Sequence, residues 1–240
     1  MAANFVSASS MSLNLTSSLS TFQNVTGGTM MCWVSLQGTL PTSEVHLINF
    51  SVGTSTANAR LAITYLNTAT KFRASARRLD ANAVSSVNGT TTPVIGTIYH
   101  VCATAAYNGT TLKIYVNGVQ EGTLTVAGWT AASSNTASSG ARIGARADVA
   151  AGGFSNAIIT DVRTYNRVLT ANEIEIIYNA RGGDSVVNGM LDRWKLMDGP
   201  LATIIGTSRA IGTLQGAAVA VNSPTYADNL RVVTHRRRDK

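Results

Sequence analysis

The chain has 240 residues, of which 45% are hydrophobic and only 13% are charged, and its formal net charge is +7. A chain of this length can bury roughly 70–75% of its unfolded surface in one large core. The low share of charged residues argues against a coiled coil or helical bundle, and the recurring aliphatic runs argue against disorder. The composition therefore predicts a globular protein rich in β-structure.

Four strand-like segments follow one another in the first half of the chain. They are separated by clusters of Gly, Thr, Asn and Ser, and they cover residues 29–38, 44–51, 59–66 and 71–78. In the first segment both alternating faces are mostly apolar, as expected for a strand between two layers. Short strands joined by small polar turns predict a β-sandwich or a barrel.

The segment from Thr97 to Val126 predicts a three-stranded antiparallel meander. Two Asn-Gly pairs, at 108–109 and 117–118, separate runs of β-branched and aromatic residues. Asn-Gly favours a type I′ turn, because both central residues of that turn have positive φ. The aliphatic positions of the middle strand are expected in the core: Leu112, Ile114 and Val116.

One further strand and one helix are predicted after the meander. Along 158–165 two sets of residues alternate, which indicates a strand: Ile158, Thr160, Val162 and Thr164 on one face, and Ile159, Asp161, Arg163 and Tyr165 on the other. Thr170 and Glu173 have the spacing of a capping box, which predicts the start of a helix. Three residues then share one helical face: Ile174, Ile177 and Tyr178.

The two cysteines, Cys32 and Cys102, lie within apolar strand-like runs. Two cysteines are too few for a disulfide framework, and they match no metal-ligand spacing. Buried core thiols are therefore favoured over a disulfide.

These elements together resemble the LamG-like (laminin G-like 3) branch of the concanavalin A-like jelly rolls. The resemblance spans residues 28–183 and is carried, in order, by GGTMMCWVSLQG, YNGTTLKIYVNGV, ARIGAR, AIITDVRTYNRVL and the helix ANEIEII. It implies an all-β fold, a two-sheet antiparallel jelly-roll sandwich with one short helix.

The end of the chain, from GMLDRWKLMDGP to SPTYADNLR, resembles a segment that usually precedes the W-V strand in this family. Residues 184–230 could close the sandwich through a strand around Trp194, or form a small separate module. Closure is favoured, because a half-built sheet with an unpaired edge would be unstable. The sandwich would then span 28–230, with residues 1–27 as an arm or edge strand and 231–240 as a basic tail.

No enzyme activity is predicted. The glucanases of this family carry a carboxylate motif, commonly E-x-D-x-x-E, that is not found here. Glu173 is explained as a helix cap and Asp161 as a surface charge on a strand. The histidines His46, His100 and His235 are scattered and have ordinary strand or tail explanations. No metal or cofactor is predicted, since calcium would need carboxylates grouped in a loop.

Carbohydrate binding is the other role that the resemblance implies. Sugar stacking needs an exposed aromatic ring, and three aromatic residues are candidates, although each could instead pack on a neighbour. These candidates are Tyr107, Tyr115 and Trp129. Trp33 and Trp194 are expected in the core.

The last ten residues form a basic tail with a net charge of +4, since five basic residues oppose one aspartate. Such a tail can bind nucleic acid, stay solvated or dock on an acidic protein surface. The sparse aromatics argue against sequence-specific nucleic-acid binding. The candidate docking residues are Arg231, Arg236, Arg237 and Arg238.

The main functional hypothesis is a virion-associated structural protein. The chain has no catalytic motif, no apolar run long enough to span a membrane and no secretory signal, and it resembles virion proteins of tailed bacteriophages. It would be a capsid decoration (cement) protein, assembled in the host cytoplasm, that docks as a homo-oligomer on the major capsid protein or another virion protein. The alternative is a glycan-binding (lectin-like) module of a tail or fibre for host attachment.

Overall fold

The fold is taken from a computed structural model of the chain, in which sixteen strands and one helix are described. The described residues are 2–5, 7, 10–15, 18–51, 59–133, 140–147, 153–196, 205–206, 213–215 and 219–221.

In chain order the strands are β1 (Ala2–Phe5), β2 (Ser12–Asn14), β3 (Gly27–Leu36), β4 (Val45–Ser51), β5 (Ala59–Leu66), β6 (Lys71–Ala76), β7 (Ser85–Asn88), β8 (Tyr99–Ala106), β9 (Thr111–Val116), β10 (Val119–Thr125), β11 (Gly140–Ile143), β12 (Ala157–Tyr165), β13 (Met190–Trp194), β14 (Ile205–Gly206), β15 (Thr213–Gln215) and β16 (Val219–Val221). The helix is α1 (Ala171–Ala180).

The strands form two sheets, which we name sheet A and sheet B. Sheet A follows the order β10-β9-β8-β3-β12-β1-β16, and β13 pairs with both β12 and β14. Sheet B follows the order β15-β2-β11-β4-β5-β6-β7. Every strand pairing described is antiparallel.

The main core lies between the two sheets, and β3 shows how it is built. All ten residues of β3 are buried. Met30, Cys32 and Val34 belong to the core between the sheets, whereas Met31 belongs to a second cluster under α1. The prediction that this strand is covered on both faces is confirmed.

Helix α1 covers part of the outer face of sheet A, and its predicted capping box is confirmed. The Glu173 backbone N–H donates to the Thr170 hydroxyl (3.2 Å), and the Thr170 backbone N–H donates to the Glu173 carboxylate (2.8 Å). Ile174 and Ile177 are buried against sheet A. Arg181 caps the C-terminal end of the helix and adopts the left-handed conformation with φ 46°.

The predicted meander is present as β8, β9 and β10, and the three aliphatic residues of β9 are buried as expected. Asn117 and Gly118 both have positive φ (52° and 82°), as a type I′ turn requires. Asn108-Gly109 lies in the predicted turn between β8 and β9, but the expected type I′ geometry is wrong. β8 and β9 pair only as far as Ala106 and Thr111, and the positive φ falls on Thr110 (57°).

Strands from both ends of the chain complete the sheets. β1 lies between β12 and β16, and β2 lies between β11 and β15. β1 and β2 therefore each have a hydrogen-bonded neighbour on both sides. Their outer neighbours, β16 and β15, follow α1 in the chain. The predicted domain boundaries stay predictions, since most of the chain after residue 196 lies outside the described residues.

Asp161 was expected on the surface, and this expectation is wrong. A bulge in β12 inserts one extra residue opposite β3, Asp161 has φ 47°, and only 8% of the residue is exposed. Its carboxylate accepts hydrogen bonds from Arg163 (2.7 and 3.2 Å) and Arg193 (2.5 and 3.1 Å). Asp184 accepts two more from Arg163, both 2.8 Å.

Two arginines and two aspartates thus form one buried and electrically balanced network. Burial alone would raise the pKa of Asp161, but the guanidinium groups of Arg163 and Arg193 hold it below its ordinary value. These four charged groups can be buried because each of them is paired with an opposite charge and forms hydrogen bonds.

The two cysteines are buried and free, as predicted. Cys32 faces the core between the sheets, and Cys102 faces the cluster under α1. Burial raises the pKa of both thiols, so both remain protonated at neutral pH.

Candidate functional site

Two rows of mostly polar side chains cross sheet B on the face that points away from sheet A. The neighbouring residues on each strand, such as Leu61, Ile63 and Phe72, belong to the core between the sheets. Residues that pair directly on neighbouring strands share one face of the sheet, so the strand pairing identifies the members of each row. The first row is His46, Thr64, Arg73 and Asn88. The second row is Arg142, Asn49, Ala62, Ser75 and Ser86.

A bulge in β4 brings His46 and Asn49 onto this common face. They are three residues apart, so strict alternation would place them on opposite faces. The register shifts between His46 and Ile48, which leaves Leu47 as an extra residue and restores His46 and Asn49 to one side.

A cleft of about 220 Å³ lies on this polar face. Ala59 and Ala62 are among its lining residues, and their small side chains leave room beside the polar groups. The polar residues that the site depends on are Glu44, His46, Asn49, Thr64, Arg73 and Ser75.

Hydrogen bonds between these side chains hold the cleft in shape. The Asn49 Nδ2 atom lies 2.8 Å from His46 Nδ1, and the Thr64 hydroxyl donates to Glu44 Oε1 over 2.9 Å. The Ser75 hydroxyl lies 2.9 Å from the hydroxyl of Ser86. The first bond lies within β4, the second joins the residue before β4 to β5, and the third joins β6 to β7.

Two polar atoms of the cleft residues are buried without a hydrogen-bond partner in the described part of the chain. They are Asn49 Oδ1 and Arg73 Nε. A buried polar group without a partner costs about 1–3 kcal/mol. A ligand that satisfies one acceptor and one donor would offset this cost.

The cleft has charges of both signs. Glu44 Oε1 and an Arg73 Nη1 nitrogen are 3.7 Å apart, and both side chains are about one-third exposed or less (33% and 28%). Beside the cleft, Arg142 pairs with Asn49 in the register and donates to the Ser12 hydroxyl over 3.1 Å. This arrangement suits an uncharged ligand with many hydroxyl groups better than a strongly charged one.

The three aromatic candidates for sugar stacking do not lie in this cleft. Tyr107, Tyr115 and Trp129 are 0%, 3% and 2% exposed, so none has a ring face in contact with solvent. Tyr107 packs on Trp129 with ring centroids 5.0 Å apart and donates its hydroxyl to the Arg60 carbonyl. Tyr115 lies in the cluster under α1. The prediction that these rings stack on a sugar is therefore wrong, because all three are buried.

Trp33 and Trp194 are buried, as expected. The candidate docking residues Arg231, Arg236, Arg237 and Arg238 lie outside the described residues, so docking through them stays a prediction. Within the described ranges, no three His, Cys, Asp or Glu side chains come together in a way that could hold a metal ion. No helix in the described part of the chain is long and apolar enough to cross a membrane.

Two antiparallel sheets packed face to face, with one short helix on the outside, define a concanavalin A-like jelly-roll sandwich, as the sequence predicts. Residues 8–175 match the model of the Laminin_G_3 family, described as the concanavalin A-like lectin/glucanases superfamily. The chain belongs to this family. No curated protein sequence is similar enough to this chain to count as a relative.

Solved structures share this fold at low sequence identity. A native heptameric SAP-like pentraxin from Limulus polyphemus is 13% identical with a TM-score of 0.62, and the match covers 91% of this chain and 93% of that one. A candidate carbohydrate-binding protein from Bacteroides ovatus is 18% identical with a TM-score of 0.62, covering 92% of this chain and 61% of that one. At these identities the similarity establishes the fold alone.

Proposed function

We propose that this chain is a glycan-binding (lectin-like) module whose ligand lies in the polar cleft of sheet B. The observation that carries the proposal is the buried Asn49, whose carbonyl oxygen has no hydrogen-bond partner among the described residues of a polar cleft. The family description includes lectins, and one protein of similar fold is itself described as a candidate carbohydrate-binding protein.

The chemistry of the cleft matches that of a sugar. A sugar hydroxyl both donates and accepts hydrogen bonds, and the cleft offers acceptors on Glu44 and Asn49 and donors on Arg73 and Ser75. Its volume of about 220 Å³ lies below the roughly 300–1,000 Å³ typical of pockets for drug-sized ligands. The cleft is therefore suited to a single sugar ring or the end of a glycan chain.

The same residues favour binding over hydrolysis. Glycoside hydrolysis generally requires two carboxyl groups that flank the bond. Glu44 is the one carboxylate among the described residues that line the cleft. A lectin-like role needs no such pair.

Assembly into a homo-oligomer would strengthen binding by such a small site. The pentraxin of similar fold is described as heptameric. Several linked sites raise the apparent affinity for a multivalent surface without any new contact at each site. The proposed ligand is thus a glycan displayed in many copies, such as one on a cell surface.

The proposal is tested by binding of the purified chain to an array of immobilised glycans. Ala62→Leu fills the cleft with a larger side chain on the face away from the core, and we expect it to abolish binding. Ala180→Leu makes the same change at an exposed position of α1 and should bind as the original chain does. Thermal unfolding of both variants separates loss of the site from loss of the fold. Equal binding by all three proteins would refute this location of the site.

The role as a capsid decoration protein stays a prediction, because its docking tail lies outside the described residues. Mass spectrometry of purified virus particles would test it by comparing the copy number of this chain with that of the major coat protein. A ratio near one per coat subunit or capsomer would support decoration, and absence from particles would contradict it.

A further inference from the structure

We propose that His46 determines which end of the Asn49 amide is presented to the ligand, so that glycan binding depends on the protonation of this imidazole. The inference rests on the proposed function and adds a positioning residue and a pH dependence to the same cleft.

The contact between the two side chains has a defined direction. Asn49 Nδ2 can only donate, so His46 Nδ1 accepts in the observed arrangement, in which the two atoms are 2.8 Å apart. Both residues are almost fully buried, at 4% and 1% exposure. With Nδ2 engaged by His46, Oδ1 is the end of the amide that remains for a ligand, and it has no partner in the described part of the chain.

Protonation of His46 would reverse this direction. An imidazolium donates from both ring nitrogens, so a proton taken from solvent onto Nδ1 would face the Nδ2 hydrogens of Asn49. Rotation of the amide by half a turn relieves the clash, because Oδ1 then accepts from His46. The terminal torsion of asparagine is broad and roughly two-fold, so this rotation needs no movement of the backbone.

Three charged residues surround His46 in the described part of the chain. Glu44 immediately precedes β4 and lines the same cleft, and Arg73 lies on β6 across Thr64. Arg142 lies on β11 opposite Asn49. On the remaining side the Gly153 carbonyl accepts from the His46 backbone N–H (2.9 Å), and the following residues up to 156 carry no ionisable side chain. Glu44 favours the imidazolium, whereas burial and the arginines oppose it.

The two states differ in what they offer a sugar. With neutral His46, the Glu44 carboxylate and the Asn49 carbonyl both accept, which suits two donating hydroxyl groups. With protonated His46, the Asn49 position presents an NH₂ group, so a hydroxyl that donated to Oδ1 must turn to accept instead, and its own O–H loses that partner. Binding should therefore weaken when acid protonates His46.

The test compares the original chain with His46→Asn on an array of immobilised neutral monosaccharides, from about pH 8 to about pH 5. Asparagine places a carbonyl oxygen near the position of Nδ1 and does not ionise. We expect binding by the original chain to fall about tenfold, the loss for one hydrogen bond that the sugar hydroxyl no longer donates. In His46→Asn the ratio of binding at the two ends of this pH range should stay close to one, whatever its affinity at neutral pH, and Ala180→Leu should follow the original chain. A flat profile for the original chain, or the same fall in His46→Asn, would overturn the inference.

A second measurement separates this inference from the proposed function. The side-chain amide signals of Asn49 in a ¹H–¹⁵N spectrum report its environment without any sugar. They should shift with pH in the original chain and stay constant in His46→Asn. If no glycan binds at any pH but these shifts occur, the proposed function fails and the coupling stands. If the signals do not move in the original chain, the coupling itself is refuted.

Discussion

His100 provides the sharpest test of the buried structure, because it is a histidine held neutral under α1. It is 1% exposed, and neither ring nitrogen has a hydrogen-bond partner within the described residues. Its ring packs against Trp33 (centroids 4.9 Å apart) and Tyr178 (6.1 Å). Burial, with a smaller contribution from the positive charge of Arg163, lowers the pKa of His100 from 6.5 to about 3.

The sign and size of the effect on stability follow from this pKa. The unfolded chain takes up the proton below about pH 6.5, whereas the folded chain takes it up only near pH 3, so acid favours unfolding between these values. The loss is about 1.4 kcal/mol per pH unit, so at about pH 4.5, two units below 6.5, the buried His100 lowers the stability by about 3 kcal/mol.

Urea unfolding of the original chain and His100→Phe over this pH range measures the effect. Phenylalanine retains an aromatic ring beside Trp33 but cannot ionise. The carboxylates of Asp161, Asp184 and Glu173 have lowered pKa values and also lose stability in acid, but they are common to both proteins and cancel in the difference. The stability difference should therefore change by about 3 kcal/mol in favour of the variant as pH falls from about 8 to about 4.5. Two curves that stay parallel would refute the buried neutral imidazole.

Three further predictions follow from the fold. Thr170→Ala removes the cap of α1 and should cost about 1 kcal/mol in thermal unfolding, with Thr170→Ser close to the original; no loss in the alanine variant would contradict the cap. Arg163→Met leaves two buried carboxylates without their shared partner and should cost about 3–5 kcal/mol; a loss below about 1 kcal/mol would contradict the network. Cys32 and Cys102 should resist a maleimide in the folded chain and react in urea; rapid labelling of the folded chain would contradict their burial.

Short segments predict the structure correctly where their own residues determine the geometry. The turn at Asn117-Gly118 needs two positive φ angles, and these two residue types tolerate them. The capping box of α1 joins Thr170 and Glu173 through bonds made within four residues. In both cases the chemistry that sets the conformation lies within the segment itself.

The turn at Asn108-Gly109 shows where such local reasoning fails. A two-residue turn would continue the pairing of β8 and β9 past Ala106, but the observed connection is longer. The longer connection places the Tyr107 ring in the core against Trp129 and brings its hydroxyl to the Arg60 carbonyl (2.9 Å). The burial of one large aromatic ring outweighs the local preference for a tight turn.

The sequence does not predict the polar face of sheet B or the burial of Asp161. Both depend on β-bulges. Along a strand, alternation assigns each side chain to a face, and one extra residue reverses every later assignment. The extra residue at Leu47 brings His46 and Asn49 to the same side of sheet B, and the one in β12 accompanies the burial of Asp161 beside Arg193.

The pairing of β4 with its neighbouring strand therefore determines which residues share the cleft, and the residue types alone do not show this. The segment EVHLINFS is a strand in sequence and in structure, yet only its pairing with β5 shows that Glu44, His46 and Asn49 line one cleft. A bulge interrupts the hydrogen-bond ladder, and it is retained where it aims a side chain that strict alternation would misdirect. In β4 that side chain is Asn49, the residue on which both the proposed glycan site and its dependence on His46 rest.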